Sequence, residues 1–393
     1  TRENLFRFPK LYALISERHP LSLFKAADMD SFGWGICIDD AWTYAGFPAP
    51  ESIIIPHVLS TRLPQGPMSL NFGQKTNRRQ REVSSVSYPE LSSSKKKDLT
   101  RIFSQNLATQ LKKNNIRFVR CWFQWNLFQP RILAGKNQNF LFPLDEFVRI
   151  MKEKEIEIIA VIGNGYYRFL PEGLDIDNAS VYISRLDQAS REIVKHYANK
   201  IAVWQLENEP NWWLQHFAVD WRRGGVWFEP NIGERILTLL HQIVREEDPK
   251  ALTLVNLEAD TTINNASKYS GFADVLGLDF YPNYLNANPI SVTGIRKASD
   301  IKKETGKPVL ITETGYPSGP NFLGYSKANQ SKYVKQVCEE AYSIDAISAL
   351  SMWRLRDSYW LSFPFQENSF GLLNRQGIPK PAWFEYIERT KAN

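Results

Sequence analysis

A chain of 393 residues with 43% hydrophobic and 23% charged residues has the composition of a globular protein, which excludes disorder along its whole length. Uninterrupted apolar runs of about 18 residues do not occur, so we expect no membrane span. The net charge of +6 is scattered apart from two basic clusters, residues 78–81 and 95–97, and favours a solvated basic surface over a nucleic-acid partner.

The cysteines and the amino terminus carry little information about function. Cys37, Cys121 and Cys338 lie far apart and match no metal-binding spacing, so we expect buried thiols rather than a disulfide framework or a zinc site. No motif indicates an organic cofactor, and we expect neither metal nor cofactor. Because the chain begins at Thr1 without an apolar leader, a targeting peptide is absent or already removed. Localisation stays open, with secretion slightly favoured, and the oligomeric state is not predicted.

The first 88 residues contain one clearly predicted element, a strand over residues 32–38. Residues 1–30 have apolar side chains without a clear period, and we expect them to pack on the main body as a lead-in. Residues 46–88 are rich in Pro, Ser, Gly, Gln and Arg and are too long for an ordinary loop. We expect this stretch to be a functional excursion or partly flexible.

From residue 89 onward, apolar strands alternate with helical patterns. Apolar residues at helical spacing predict helices over 98–114, 143–154, 179–197, 233–247, 264–269, 292–305, 327–343 and 382–390. Short, nearly continuous apolar runs predict seven further strands, over 116–122, 156–162, 202–209, 251–257, 274–281, 308–314 and 346–353.

This alternation predicts the fold. Strands that are apolar on both faces need a parallel sheet that is covered by helices. Eight such units fit a closed (β/α)8 TIM barrel better than a doubly wound sheet, and no Gly-x-Gly-x-x-Gly turn opens a helix. We therefore predict an α/β protein with one barrel domain over residues 31–393 and with residues 46–88 as a long insertion after strand one. In such barrels the chemistry lies at the carboxyl ends of the strands.

Two acids lie at the ends of predicted strands. The run from Ala202 ends in Asn208-Glu209-Pro210 at strand four, and the run from Pro308 carries Glu313 at strand seven. Strands four and seven lie across a barrel from each other, so the two carboxyl groups can face a substrate from opposite sides. Hydrolysis of a glycosidic bond needs such a pair.

At these residues the chain resembles a known family, the 4/7 clan of retaining (β/α)8-barrel glycoside hydrolases. The resemblance rests on Trp204 to Pro210 and on the stretch 311–315, with support from Tyr281 at strand six and Trp353 at strand eight. It covers roughly residues 30–393. It implies that Glu209 is the general acid/base and Glu313 the nucleophile of a double displacement.

The resemblance also implies roles for four neighbours. Asn208 would bind the sugar 2-hydroxyl, Tyr281 would hydrogen-bond the nucleophile, and Trp353 would form the floor of the sugar subsite. Arg120, at the end of strand two, matches an arginine that pairs with the nucleophile in many members. Separately from the resemblance, polar and aromatic residues follow strands two to four and are expected to contact substrate, among them Trp122, Asn164 and Trp212.

Alternatives stay open at several of these residues. Both acids could be structural, Trp353 could belong to the core, and Arg120 could pair with a barrel-interior acid such as Asp279. Glu207 lies two residues before Glu209, so pleat alternation could bring it into the place of the acid. Strand three ends without the histidine of some cellulase-like members, which argues against that subgroup.

The sequence therefore predicts a retaining glycosidase that cleaves a β-linked oligo- or polysaccharide. The same pair of glutamates would also serve a transglycosylase. The alternative that is not an enzyme is a carbohydrate-binding barrel with an inactive site.

Overall fold

A computed structural model describes residues 32–38, 93–132, 140–163, 170–212, 226, 231–259, 263–357 and 365–391. The predicted lead-in over residues 1–30 and the excursion over residues 46–88 lie outside them and stay predictions. The strands are β1 (Gly33–Cys37), β2 (Phe118–Trp122), β3 (Glu157–Val161), β4 (Val203–Glu207), β5 (Leu252–Glu258), β6 (Val275–Phe280), β7 (Val309–Thr314) and β8 (Ile347–Met352).

Helices alternate with these strands along the chain. In the described residues they are α1 (Ser93–Lys113), α2 (Trp125–Phe128), α3 (Asp145–Glu153), α4 (Ala179–Tyr197), α5 (Pro210–Trp212), α6 (Ile232–Glu247), α7 (Ile263–Ser270), α8 (Lys297–Thr305), α9 (Lys327–Ser343) and α10 (Pro381–Lys391). Turns of 3-10 helix cover Thr293–Arg296, Asn321–Leu323 and Phe365–Ser369. The segment predicted as one helix over 292–305 is thus a 3-10 turn followed by α8.

The eight strands form a closed barrel in chain order. Every neighbouring pair is parallel, and β8 pairs with β1 to close the sheet. The predicted (β/α)8 fold is confirmed. Local signals in the sequence define several helix boundaries: the side chain of Asn178 caps α4 by accepting from the backbone N–H groups of Ser180 and Val181, and α8 ends at Gly306 with φ 66°.

Alternation along each strand separates two cores. Outward-facing residues such as Trp204 and Val255 pack against the helices in the larger hydrophobic cluster. Inward-facing residues fill the lower barrel with a smaller cluster that includes Phe118, Val203 and Leu310. Further along the same strands the interior becomes polar, with buried Arg120, Gln205, Asn256, Asp279 and Thr312. The apolar layer therefore supports a polar layer at the carboxyl ends of the strands.

The lower core is sensitive to added volume at Gly35. A Cβ on Gly35 would lie 2.2 Å from the ring of Phe118, which is itself buried inside the barrel. We expect Gly35→Ala to lower the free energy of unfolding by about 1–3 kcal/mol, because the buried ring would have to shift within a packed core. Urea unfolding measures this change. Gly271→Ala is the control, since its Cβ would meet nothing within 4 Å, and equal unfolding midpoints for the two variants would contradict the packing described here.

Two further predictions from the sequence concern the kind of protein rather than its active site. Within the described part of the chain, no helix is long and apolar enough to cross a membrane. The three cysteines are buried, as predicted.

Candidate active site

Glu313 is fixed by two donors at the end of β7. Its Oε1 lies 2.6 Å from Nη1 of Arg120, and its Oε2 accepts a hydrogen bond of 2.7 Å from the hydroxyl of Tyr281. The Glu313 side chain is 9% exposed, while the Arg120 side chain is fully buried. Both contacts stabilise a negative charge and leave the carboxylate little freedom to rotate. Of the two acids considered for Arg120, Glu313 is therefore the one with which it forms the salt bridge.

Arg120 links β2, β4 and β7. Besides its salt bridge, its Nε donates to Gln205 Oε1 and its Nη2 donates to Asn208 Oδ1, both at 2.7 Å. Separate partners on each nitrogen of the planar guanidinium define its position closely. Glu313, the candidate nucleophile, and Asn208, the residue before Glu209, are thus held by the same side chain.

Glu209 lies two residues beyond β4, where the chain leaves the sheet. Its backbone has φ 46°, in the left-handed region that a residue with a Cβ rarely adopts. The backbone N–H donates to Asn256 Oδ1 at 3.0 Å, and Pro210 begins α5 directly afterwards. A strained residue that is supported by a neighbouring strand is a frequent feature of functional sites.

The environment of Glu209 favours its protonated form. Burial raises the pKa of Glu209 to about 8, and the negative charges of Glu313 and Glu258 add to the shift, while Arg120 opposes it. The site therefore combines an anchored carboxylate with a carboxyl group that keeps its proton near neutral pH. This combination suits one group that attacks and one that donates a proton.

The position of Glu207 in the strand register differs from the one that simple alternation predicts. The register between β4 and β5 shifts between Gln205 and Glu207, so that Glu207 lies level with Val255, a residue of the outer core. Its side chain is 2% exposed, and Oε2 would be 1.7 Å from a Cβ on Gly163. Because of this β-bulge, simple pleat alternation does not describe the end of β4. The Glu313 charge acts on Glu209, where it helps to raise the pKa of that carboxyl group.

The structure describes the remaining predicted site residues to different extents. Trp353 follows β8 and is partly exposed. Its backbone N–H donates to the backbone O of Thr314 at 2.7 Å, and Arg354 lies 5.3 Å from its ring centre. Trp122, at the end of β2, is 7% exposed and packs on Val161. Asn164 lies outside the described residues. For Trp212 the backbone in α5 is described and the side chain is not.

A buried polar network below the two glutamates was missed by the sequence reasoning. Gln205 Nε2 donates to Asn256 Oδ1 at 2.7 Å, and Asn256 Nδ2 donates to Asn208 Oδ1 at 2.9 Å and to Asp279 Oδ2 at 2.5 Å. The available signal was a polar residue at an inward position of a largely apolar strand: Gln205 in β4, Asn256 in β5 and Asp279 in β6. Buried polar groups without a network are costly, so such residues indicate one another.

Among the described residues, no group of three or more His, Cys, Asp or Glu side chains is arranged to hold a metal ion.

Solved structures share this fold. The chain resembles a GH5_18 protein of Streptomyces cattleya in complex with GlcNAc, with a TM-score of 0.60 and 15% identity over 74% of each chain. A GH5_18 protein of Bifidobacterium longum subsp. longum gives 0.59 and 17% over 74% of each chain. Xylanase 10B of Thermotoga petrophila in complex with xylobiose gives 0.54 and 16%, over 70% of this chain and 86% of that chain.

These neighbours are (β/α)8-barrel glycoside hydrolases. At this level of identity the likeness establishes the fold, which is the one that the sequence resemblance implied. No family model matches the chain, and no curated protein matches it by sequence.

Proposed function

We propose that the protein is a retaining glycoside hydrolase, with Glu313 as the nucleophile and Glu209 as the general acid/base. The observation that carries this proposal is the contrast between the two carboxyl groups. Glu313 is held by Arg120 and Tyr281, whereas Glu209 has a raised pKa of about 8 beside it. Double displacement at a glycosidic carbon requires this division of roles.

The proposed reaction has two steps. In the first, a carboxylate oxygen of Glu313 bonds to the anomeric carbon, the bond to the leaving oxygen breaks, and the proton of Glu209 moves to that oxygen. In the second, Glu209 takes a proton from water, the water oxygen bonds to the anomeric carbon, and Glu313 is released. Asn208 uses its Oδ1 to accept from Arg120 and Asn256, so its NH2 group is the donor for a sugar hydroxyl.

A carbohydrate substrate is supported by two observations. Trp353, a partly exposed residue, follows β8 at the same end of the barrel, and an indole ring can offer a flat apolar surface to a sugar. Two of the structural neighbours were solved with a sugar, one with GlcNAc and one with xylobiose. We infer a β-linked glycan as the substrate class, with Trp122, Asn164 and Trp212 as further contact residues.

A panel of aryl β-glycosides and defined oligosaccharides tests the proposal. We expect turnover by the wild type, loss of turnover in Glu313→Ala, and a first product with the β configuration by proton NMR. Equal rates in the two proteins would contradict catalysis by Glu313, and a first product of α configuration would contradict retention. New, longer sugars on addition of an acceptor would identify a transglycosylase, while binding without turnover of any substrate would identify an inactive carbohydrate-binding barrel.

Tyr281 provides a finer test of the nucleophile's surroundings. Tyr281→Phe removes the hydrogen bond to Glu313 Oε2 and keeps the ring. Because hydrogen bonds to charged groups contribute about 1.5–3 kcal/mol, we expect kcat/KM to fall about 10- to 150-fold. Tyr316→Phe is the control: it removes a buried hydroxyl that donates to the backbone of Ala287 and should leave kcat/KM within about threefold. Similar losses in both variants would mean that Tyr281 acts through packing.

A further inference from the structure

Asn256 is a fully buried amide in the middle of the polar layer, and the proposed reaction gives it no role. Its Oδ1 accepts from Gln205 Nε2 at 2.7 Å and from the backbone N–H of Glu209 at 3.0 Å. Its Nδ2 donates to Asn208 Oδ1 at 2.9 Å and to Asp279 Oδ2 at 2.5 Å. An amide oxygen has two acceptor sites and an amide nitrogen two donor hydrogens, so these four bonds use the whole capacity of the side chain.

The orientation of this amide follows from two groups that can only donate. The backbone N–H of Glu209 needs an oxygen opposite it, which places Oδ1 of Asn256 there. Arg120 Nε donates to Gln205 Oε1, which turns Gln205 Nε2 toward the same Oδ1. The nitrogen of Asn256 must then face Asn208, and the amide cannot be reversed without breaking all of these bonds.

Asn256 is itself held closely in place. In the strand register it lies level with Gly277 of β6, and a Cβ on Gly277 would lie 2.7 Å from the Cβ of Asn256. The missing side chain on β6 therefore leaves room for the Asn256 side chain inside the barrel. A group fixed in this way can hold others in position.

Both of the residues that Asn256 reaches beyond β4 belong to the proposed site. Glu209 has φ 46°, and a backbone in this sparsely populated region persists only where its surroundings hold it. The bond from Asn256 reaches the N–H of this same residue. Asn208 Oδ1 accepts from both Asn256 Nδ2 and Arg120 Nη2, which directs the NH2 group of Asn208 away from the network.

We propose that Asn256 is a positioning residue of the active site, which holds the backbone of Glu209 through its Oδ1 and orients the amide of Asn208 through its Nδ2. It acts through these two residues and does not contact the reacting atoms. The catalytic part of this inference rests on the proposed function, whereas the hold on the Glu209 backbone does not.

Hydrogen exchange at single-residue resolution tests the hold on Glu209 and needs no substrate. We expect the Glu209 amide to exchange about tenfold faster in Asn256→Ala than in wild type, because its acceptor is lost. The amides of β1, on the opposite side of the barrel, should exchange as in wild type. Unchanged exchange at Glu209, or an equal increase in β1, would overturn the proposal. If Asn256→Ala fails to fold, Asn256→Val is measured instead, since it fills most of the same space without a hydrogen-bonding group.

The control is Asn114→Ala. It removes another buried side-chain amide, which donates to the backbone O of Gln110 in α1, away from the polar layer. We expect the exchange of the Glu209 amide to stay at the wild-type rate and kcat/KM to stay within about twofold of wild type. A loss in Asn114→Ala as large as that in Asn256→Ala would mean that any buried amide has this effect, which also overturns the proposal.

Kinetics with two kinds of leaving group test the positioning role. Asn256→Ala should lose about 100-fold in kcat/KM on aryl glycosides with poor leaving groups and less than about tenfold on dinitrophenyl glycosides, which need little acid assistance. The smaller loss reflects the released amide of Asn208, so in an Asn208→Ala background Asn256→Ala should cost less than about twofold on dinitrophenyl glycosides. Equal losses on both kinds of substrate, or an undiminished loss in the double variant, would overturn the proposal. If no glycoside is hydrolysed and the Glu209 amide still exchanges faster, the proposed function fails while the hold on Glu209 stands.

Discussion

Glu313→Gly should abolish hydrolysis of aryl β-glycosides, and added azide should restore it with formation of the α-glycosyl azide. Removing a nucleophile that works as part of a unit costs on the order of 10⁵-fold or more in kcat. The glycine leaves a space where Glu313 contacted Arg120 and Tyr281, at the position from which attack occurs. Azide in that space attacks from the side that Glu313 used, so the product has the inverted configuration.

The stereochemistry of this rescue separates the two glutamates. In Glu209→Ala, azide would enter on the side of the leaving group and attack the glycosyl-enzyme, so the azide product should be β. Glu258→Gln is a matched control, because Glu258 is a neighbouring strand-end acid that acts on Glu209 through its charge alone in the proposed reaction. An α-azide from a Glu207→Gly variant, with no rescue in Glu313→Gly, would mean that the acids are assigned wrongly.

The stability of Glu313→Gly has to be measured as well, because the variant removes a partner of Arg120. Without Glu313 the buried guanidinium loses its ion-pair partner, a change that costs about 3–5 kcal/mol when no other partner remains. Arg120 keeps its hydrogen bonds to Gln205 and Asn208, so we expect a smaller loss and a folded protein. Circular dichroism and thermal unfolding check this, and an unfolded Glu313→Gly would be replaced by Glu313→Ala in the rescue experiment.

The fold could be predicted because strand order in a barrel follows chain order. Each strand could be recognised from its own apolar run and each helix from its own hydrophobic period. The pairing of β8 with β1 could therefore be predicted without knowledge of long-range contacts. The ordinal positions of Glu209 and Glu313 then followed from counting strands. A different fold, with crossovers between distant strands, would not have allowed this.

The β-bulge in β4 and the polar network could not be predicted in the same way. The β-bulge shifts Glu207 relative to β5, and nothing in the local alternation of Gln205, Leu206 and Glu207 marks the shift. Asp279 was visible as an interior acid, but its partner depended on distances between β2, β6 and β7. Arg120 reaches Glu313 instead, and Asp279 bonds Thr312 and Asn256.

Glu209→Gln should lose the alkaline limb of the pH profile together with most of its activity on unactivated substrates. Burial raises the pKa of Glu209 to about 8, so the wild-type acid is protonated below that pH and kcat/KM falls as the pH rises through about 8. The amide cannot transfer a proton, so we expect a loss of about 10²- to 10⁴-fold with poor leaving groups and a flat profile through pH 8. A wild-type alkaline limb that persists in Glu209→Gln would assign the proton donor to another group.

The same substitution should change how stability depends on pH. Glu209 has a pKa near its ordinary value of 4.5 when unfolded and about 8 when folded. Between these values the folded protein binds a proton that the unfolded chain releases, so this group lowers the stability of the wild type as the pH rises from about 4.5 to about 8, and not below or above that window. We therefore expect Glu209→Gln to gain melting temperature relative to wild type across the window and to hold a constant advantage above it. A constant difference in melting temperature from pH 4.5 to 8 would contradict the raised pKa of Glu209, and with it the reason that Glu209 can serve as the acid.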